Sequence, residues 1–314
     1  MFRTRLAVVA VLMSSGCGGG STPATPTSSS ATSSTPASSS SPTLASAWTP
    51  EGARLTNATT GCVGVLADTS TIQLTDGRWR MYMYCGTSYR SATSADGLSF
   101  AMDPGPRLPE GQGQARAVRL PDGRMRIFNS SGVGIASSVS SDDGLTFVAE
   151  PGLRVRASDA GESNLSGPSN IVRTADGLWR MYFSDLPIPG AGVTTHRIFS
   201  AASSDLFTWT MDPGVRVGAG APSLAGNGEH PGAIQASDGS IALFYFRNSS
   251  FQLMTSTSRD GLSFTTESDT GVSTAGNQAN DPDLVRLSSG LVRMYHNQGD
   301  SNGGVISSAT RAGL

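Results

Sequence analysis

TIQLTDGRWRMYMY, residues 71–84, reads as strand, turn, strand. Apolar and polar residues alternate on both sides of Asp76-Gly77, and glycine enters positive φ at little cost, so the segment is a β-hairpin. The hairpin returns as AVRLPDGRMRIFN (117–129), IVRTADGLWRMYF (171–183), AIQASDGSIALFYF (233–246) and LVRLSSGLVRMYH (284–296). A second strand–turn–strand element follows each of the first four. It reads SADGLSFAMDPGPRL (94–108), SDDGLTFVAEPGLRV (141–155), SSDLFTWTMDPGVRV (203–217) and SRDGLSFTTESDTGV (258–272). One unit is therefore four antiparallel strands recurring every ~50–60 residues, the size of a propeller blade.

The fifth unit stops at GVISSATRAGL (304–314), one strand short. SAWTPEGARL (46–55) matches the missing piece, and a strand donated from there would leave no open sheet edge. The expectation is an all-β fold: a single five-bladed β-propeller over 46–314, built of four-stranded antiparallel blades. Strand 46–55 is expected to complete the last blade and close the ring.

The chain begins differently. Arg3 and Arg5, the apolar run Leu6–Met13 and the small residues Ser14–Gly16 make residues 1–16 an export signal, too short to span a bilayer. With Cys17 next, the stretch resembles a lipoprotein signal, which implies that Cys17 is acylated and becomes the mature N-terminus. Residues 17–45 are rich in Ser, Thr and Pro and carry no charge, so they are expected to form a flexible tether. The protein is expected to be exported and held at a membrane, periplasmic or cell-surface, by this lipid anchor alone.

Formal charge is −2, there is no lysine, and no basic block occurs, so nucleic acid is not an expected partner and Schiff-base chemistry is excluded. A monomer is expected. With Cys17 assigned to lipid, Cys62 and Cys85 remain as a candidate disulfide pair in an oxidising compartment.

Residues repeated in nearly every blade serve packing. Arg80, Arg126, Arg180 and Arg293 share one position and are expected to pair with repeated acids such as Asp103, Glu150 and Asp212. Asp96, Asp142, Asp205 and Asp260 lie in outer turns that resemble a degenerate Asp-box, the structural turn of sialidases and related propellers.

Function belongs to what differs between blades. Alignment of the inner strands puts Asp68, Gln114, Pro168, His230 and Asp281 at one channel-mouth position. Two residues on, facing the same way, come Ser70, Arg116, Asn170, Gly232 and Asp283. Glu229 precedes His230, and loops on the same face add Tyr89, Arg247 and His296. Carboxylates, an arginine and amides suit sugar hydroxyls, and paired carboxylates can perform glycosidic acid/base chemistry. Asp281 and Asp283 are equally suited to capping the strand start or to a structural cation. No cofactor is required and no metal ligands are assigned, with Ca²⁺ the ion an acidic mouth would take.

NDPDLVRLSSGLVRMYHNQ (280–298) resembles the opening blade element of five-bladed glycoside hydrolases, the arabinanase, xylosidase and invertase group. The resemblance implies Asp281, before Pro282, as general base, Glu229 as general acid and Asp68 as the third carboxylate. Asp283, Arg116, Gln114, Asn170, His230, His296, Tyr89 and Arg247 would then bind substrate. Here the Asp-Pro element opens the last blade and Glu229 lies upstream of it, an order that circular permutation would produce. Two functions stay open: a surface-tethered glycoside hydrolase acting on poly- or oligosaccharide, and a non-catalytic carbohydrate- or protein-binding propeller.

Overall fold

The computed structural model describes residues 47–109, 112–186, 196–273, 278–298 and 304–314. The expected signal (1–16), the tether (17–45) and the acylation site Cys17 lie outside them. The fold is five antiparallel sheets arranged as blades in a ring. Blade 1 is Leu66–Gln73, Trp79–Cys85, Ser88–Ser94 and Ala101–Met102. Blade 2 is Gly113–Arg119, Met125–Ser130 and Gly134–Ser140, with Val148–Ala149 and Val155–Arg156 both on its third strand. In blade 3 the inner strand is split into Leu165–Pro168 and Val172–Arg173, followed by Trp179–Asp185, Ile198–Ser203 and Thr210–Met211. Blade 4 is Glu229–Gln235, Ile241–Arg247, Gln252–Ser258 and Thr265–Asp269. Blade 5 is Ala279–Arg286, Val292–Gln298 and Val305–Arg311, and its outer strand is Thr49–Thr56, antiparallel to Val305–Arg311.

Neighbouring blades are joined by a device that the repeated residues encode. An aromatic on each second strand meets, edge to face, an aromatic of the next blade's outer element. The pairs are Tyr82–Phe147, Phe128–Trp209, Tyr182–Phe264, Phe244–Trp48 and Tyr295–Phe100, at 5.5–6.0 Å. Each contributes about 0.5–1.5 kcal/mol beyond its buried area. Trp48 does for blade 5 what the outer turns do for the other four.

The repeated arginines work alongside. Arg80, Arg126 and Arg180 pair with Asp103, Glu150 and Asp212 of their own blades, and Arg293 pairs with Glu51 on the N-terminal strand. Their guanidinium groups also donate to turn carbonyls of the next blade, such as Leu206, Asp260 and Asp96. Blade 4 has Ala242 at the arginine position; there Glu267 takes Arg247 and the Tyr245 hydroxyl instead. The aspartates of the outer turns accept backbone N–H groups two to four residues on, as Asp96 does from Leu98 and Ser99 and Asp142 from Leu145 and Thr146. Cys62 and Cys85 are bonded, tying the approach to blade 1 to the end of its second strand. No helix among the described residues is long and apolar enough to cross a membrane.

Candidate functional site

The inner strands do not run smoothly to the mouth. Register shifts fall between Ala67 and Ser70, Gly113 and Arg116, Glu229 and Gly232, and Asn280 and Asp283. Within them Asp68, Gln114, His230 and Asp281 adopt left-handed backbone, with φ of 53°, 47°, 50° and 52°. Such a conformation costs about 1–2 kcal/mol per residue, and Asp and His are among the residues that tolerate it. A bulge re-aims its side chain. Four blades spend this strain to turn one side chain each into a common hollow. Arg116, Ser166, Gly167, Pro168 and Pro231 complete the lining of this shallow hollow, which opens to solvent.

Each mouth side chain grips the neighbouring blade. Gln114 Oε1 accepts from Ser166 Oγ and from the Gly167 N–H, both at 2.9 Å. The Asp68 carboxylate accepts the Gln114 backbone N–H, and the Asp281 carboxylate accepts that of Asp68. His230 Nδ1 pairs with Asp281 Oδ1. One ligand-capable atom each from Asp68, His230 and Asp281 lie within 4.8 Å of one another.

The environment splits the two carboxyl groups. Burial, then the charge of Asp281, push Asp68 up to about 7, against His230 and Arg116. Burial also opposes charge on Asp281, but the His230 ring, with Arg116 behind it, outweighs it and lowers that pKa. Burial disfavours a charged His230 ring, yet Asp281, followed by Glu229 and Asp68, raises it to about 10. Near neutrality the mouth thus holds an imidazolium against a carboxylate, with Asp68 keeping its proton more readily than a free carboxyl.

Several expected site residues lie elsewhere. Glu229 does not line the hollow; it is 8% exposed and its Oε2 lies 3.1 Å from His196 Nε2 and 3.9 Å from His230 Nε2. Asp283 is fully buried, accepting from the Thr71 N–H at 2.6 Å and from Asn170 Nδ2 at 2.8 Å. That second bond joins blades 5 and 3 across the axis, so Asn170 and Asp283 plug the channel instead of presenting groups to a ligand. Arg116 spans the axis as well, donating to the Thr69 and Pro282 carbonyls, and forms part of the hollow's wall. Tyr89 is fully buried, and its hydroxyl bridges the Asp68 and Ala115 carbonyls. Arg247 is taken by Glu267, substituting for the missing blade arginine. His296 is 3% exposed, and burial lowers its pKa to about 4, leaving a neutral ring in the core.

Ser166 and Gly167 are contributions that the sequence alignment does not assign. Blade 3 explains both. Its bulge lies between Leu165 and Pro168, one pair nearer the strand start than in blade 1, so Ser166 and Gly167 join the expected Pro168 in the lining.

Calcium takes six to eight oxygen ligands. The Asp68–His230–Asp281 cluster offers two carboxylates and a nitrogen, the imidazole already faces Asp281, and Arg116 adds a fixed positive charge. This donor set does not fit calcium.

No protein-family model and no curated protein matches the sequence. Solved structures do match in fold. An endo-arabinase from Bacteroides thetaiotaomicron superposes with a TM-score of 0.63 at 13% identity, over 79% of this chain and 94% of that one. A GH43_1 enzyme from Xanthomonas citri complexed with xylose gives 0.60 at 15%, over 83% and 90%. A GH43 β-xylosidase/α-arabinofuranosidase from a compost microbial metagenome, in complex with xylotriose, gives 0.61 at 14%, over 83% and 94%. The chain shares the five-bladed propeller of family-43 glycoside hydrolases.

Proposed function

We propose that this chain is a carbohydrate-binding propeller, tethered to a membrane through Cys17, that receives one sugar unit at its channel mouth. The observation that carries this reading is the spacing of the mouth carboxylates. Oxygens of Asp68 and Asp281 approach within 4.8 Å and share His230. Carboxyl groups that act on a glycosidic bond stand about 5–5.5 Å apart in retaining enzymes and about 6.5–9.5 Å apart in inverting ones. A pair whose nearest oxygens stand this close falls short of the inverting separation, and with Gln114 and Arg116 it offers acceptors and donors suited to ring hydroxyls. That structures of the same fold hold xylose and xylotriose supports this class of ligand.

Hydrolysis is the second reading, favoured by the unequal protonation of the pair. An ionised Asp281 would be the base, and a proton-holding Asp68 would replace Glu229 as the acid. The test is calorimetric titration with a panel of xylo- and arabino-oligosaccharides, run beside an assay for released reducing sugar. Binding without release is expected. Turnover abolished by Asp281→Asn would establish hydrolysis, and no binding across the panel would sink both readings.

A further inference from the structure

Behind the mouth, carboxylates and imidazoles alternate through three blades. Asp185, at the end of blade 3's second strand, has its backbone carbonyl 3.2 Å and its Oδ1 3.5 Å from His196 Nδ1. His196 Nε2 lies 3.1 Å from Glu229 Oε2 on blade 4. The same Glu229 oxygen lies 3.9 Å from His230 Nε2, too long for a hydrogen bond but within ion-pair reach. His230 Nδ1 then pairs with Asp281 of blade 5. The His230 ring is thus flanked on one nitrogen by Asp281 and on the other by Glu229.

We propose that Glu229 is a positioning residue. Pinned from behind by His196, it holds the His230 ring as an imidazolium across Asp281, so that the mouth presents a fixed cation–anion pair to whatever enters. The inference rests on the reading of the mouth as the binding site and says how that site is charged.

Among the described residues, the charged groups that act on the ring, directly or through its carboxylates, come from four blades. Asp281 from blade 5 and Asp68 from blade 1 lie on the mouth side, Glu229 comes from its own strand, and Arg116 of blade 2 acts on both mouth carboxylates. Behind Glu229, Asp185 is held by Arg197, which also takes Glu162, so the far end of the row is anchored. Each group on its own has an ordinary packing role. In one row they set a carboxylate against each ring nitrogen of His230.

The chain has three histidines, so their ring nitrogens are separable by NMR in protein carrying ¹⁵N-histidine. In the wild type at pH 8, without any sugar, His230 should show both ring nitrogens protonated; a single neutral tautomer there overturns the proposal. Glu229→Gln should lower the His230 titration midpoint by at least about one pH unit, a tenfold loss of proton affinity, while leaving His296 unmoved. Glu229→Asp, which keeps the charge on a shorter arm, should recover part of the shift. An unchanged His230 midpoint in folded Glu229→Gln also overturns the proposal. Failure of the sugar panel to bind would overturn the function and leave this titration as it stands.

Discussion

Glu51 and Arg293 stand 242 residues apart in the chain and 2.8 Å apart in the fold, with the Ser308 hydroxyl on the same carboxylate at 2.7 Å. Asp103, Glu150 and Asp212 receive the same arginine and serine in blades 1, 2 and 3. The N-terminal strand therefore supplies blade 5 with a blade's own parts. Removing one partner of a largely buried pair strands the other charge. Glu51→Ala should cost about 2–4 kcal/mol and visibly lower the melting temperature, and deleting 47–56 should be far worse. Melting of the Ala variant within a degree of the parent would show that the pair holds nothing.

Cys62 and Cys85 close a loop across the first blade, with a sequence separation of 23. Shortening the unfolded chain's freedom over such a loop stabilises by about 3 kcal/mol, or roughly 5–10 °C for a domain of this size. The double serine variant should melt lower by that amount, and a reductant should do the same to the parent. Resistance of the parent to reductant would put the bond outside the stability of the fold.

Blade number, strand order and the ring-joining arginines were legible in the sequence because they repeat, and repetition is visible without coordinates. The mouth residues Asp68, Gln114, His230 and Asp281 were found for the complementary reason: they vary where the rest is constant. What sequence could not supply was direction. Tyr89, Asn170, Asp283 and His296 sit at the expected end of their strands, yet they point into the axis or between blades. A period of two assigns faces only while the strand is regular, and the bulges break that count at the site. Arg247 misled for a different reason. It looked unrepeated and hence functional, whereas it fills a gap left by Ala242 in the repeat itself.

Stability should fall as pH rises through neutrality. The folded value of His230, about 10, exceeds its ordinary 6.5, so its contribution is complete below 6.5 and lost as pH climbs to 10. Asp68 is raised from 3.8 to about 7, so the fold favours its protonated form and loses stability between those values as well. On the acid side the turn amides hold Asp96 and Asp205 down to about 2, a contribution present above 3.8 and lost as pH falls. Maximal stability is expected at about pH 4, where the turn aspartates are ionised and Asp68 still holds its proton. Denaturant melts at unit pH steps test this, and Asp68→Asn should flatten the decline most between pH 4 and 7. Stability that rises from pH 6 to 9 would contradict the charge assignment at the mouth.

Chelation should leave the protein as it is. The Asp68–His230–Asp281 cluster has too few oxygens for calcium and an arginine beside it. Melting curves with EDTA and with millimolar calcium should coincide, and a calcium-dependent rise would mean that the mouth rearranges to bind the ion.

At Gly167 the backbone of blade 3 lies hard against Gln114 of blade 2. A Cβ built there would meet the Gln114 carbonyl oxygen at 1.9 Å and Gln114 Cβ at 2.3 Å. Neither atom is the free end of a flexible side chain, so Gly167→Ala must move one strand away from the other. The Gly167 N–H and Ser166 hydroxyl would then lose Gln114 Oε1, and the bulge that aims Gln114 into the hollow would lose its support. The expected cost is about 1–3 kcal/mol in stability, with a larger proportional loss in sugar affinity, because the displaced wall belongs to the pocket. Gln114→Ala separates the two effects: it removes the same hydrogen bonds without forcing the strands apart. If it weakens sugar binding while melting close to the parent, Gln114 itself contacts the ligand. If only Gly167→Ala weakens binding, the distance between blades 2 and 3 sets the pocket.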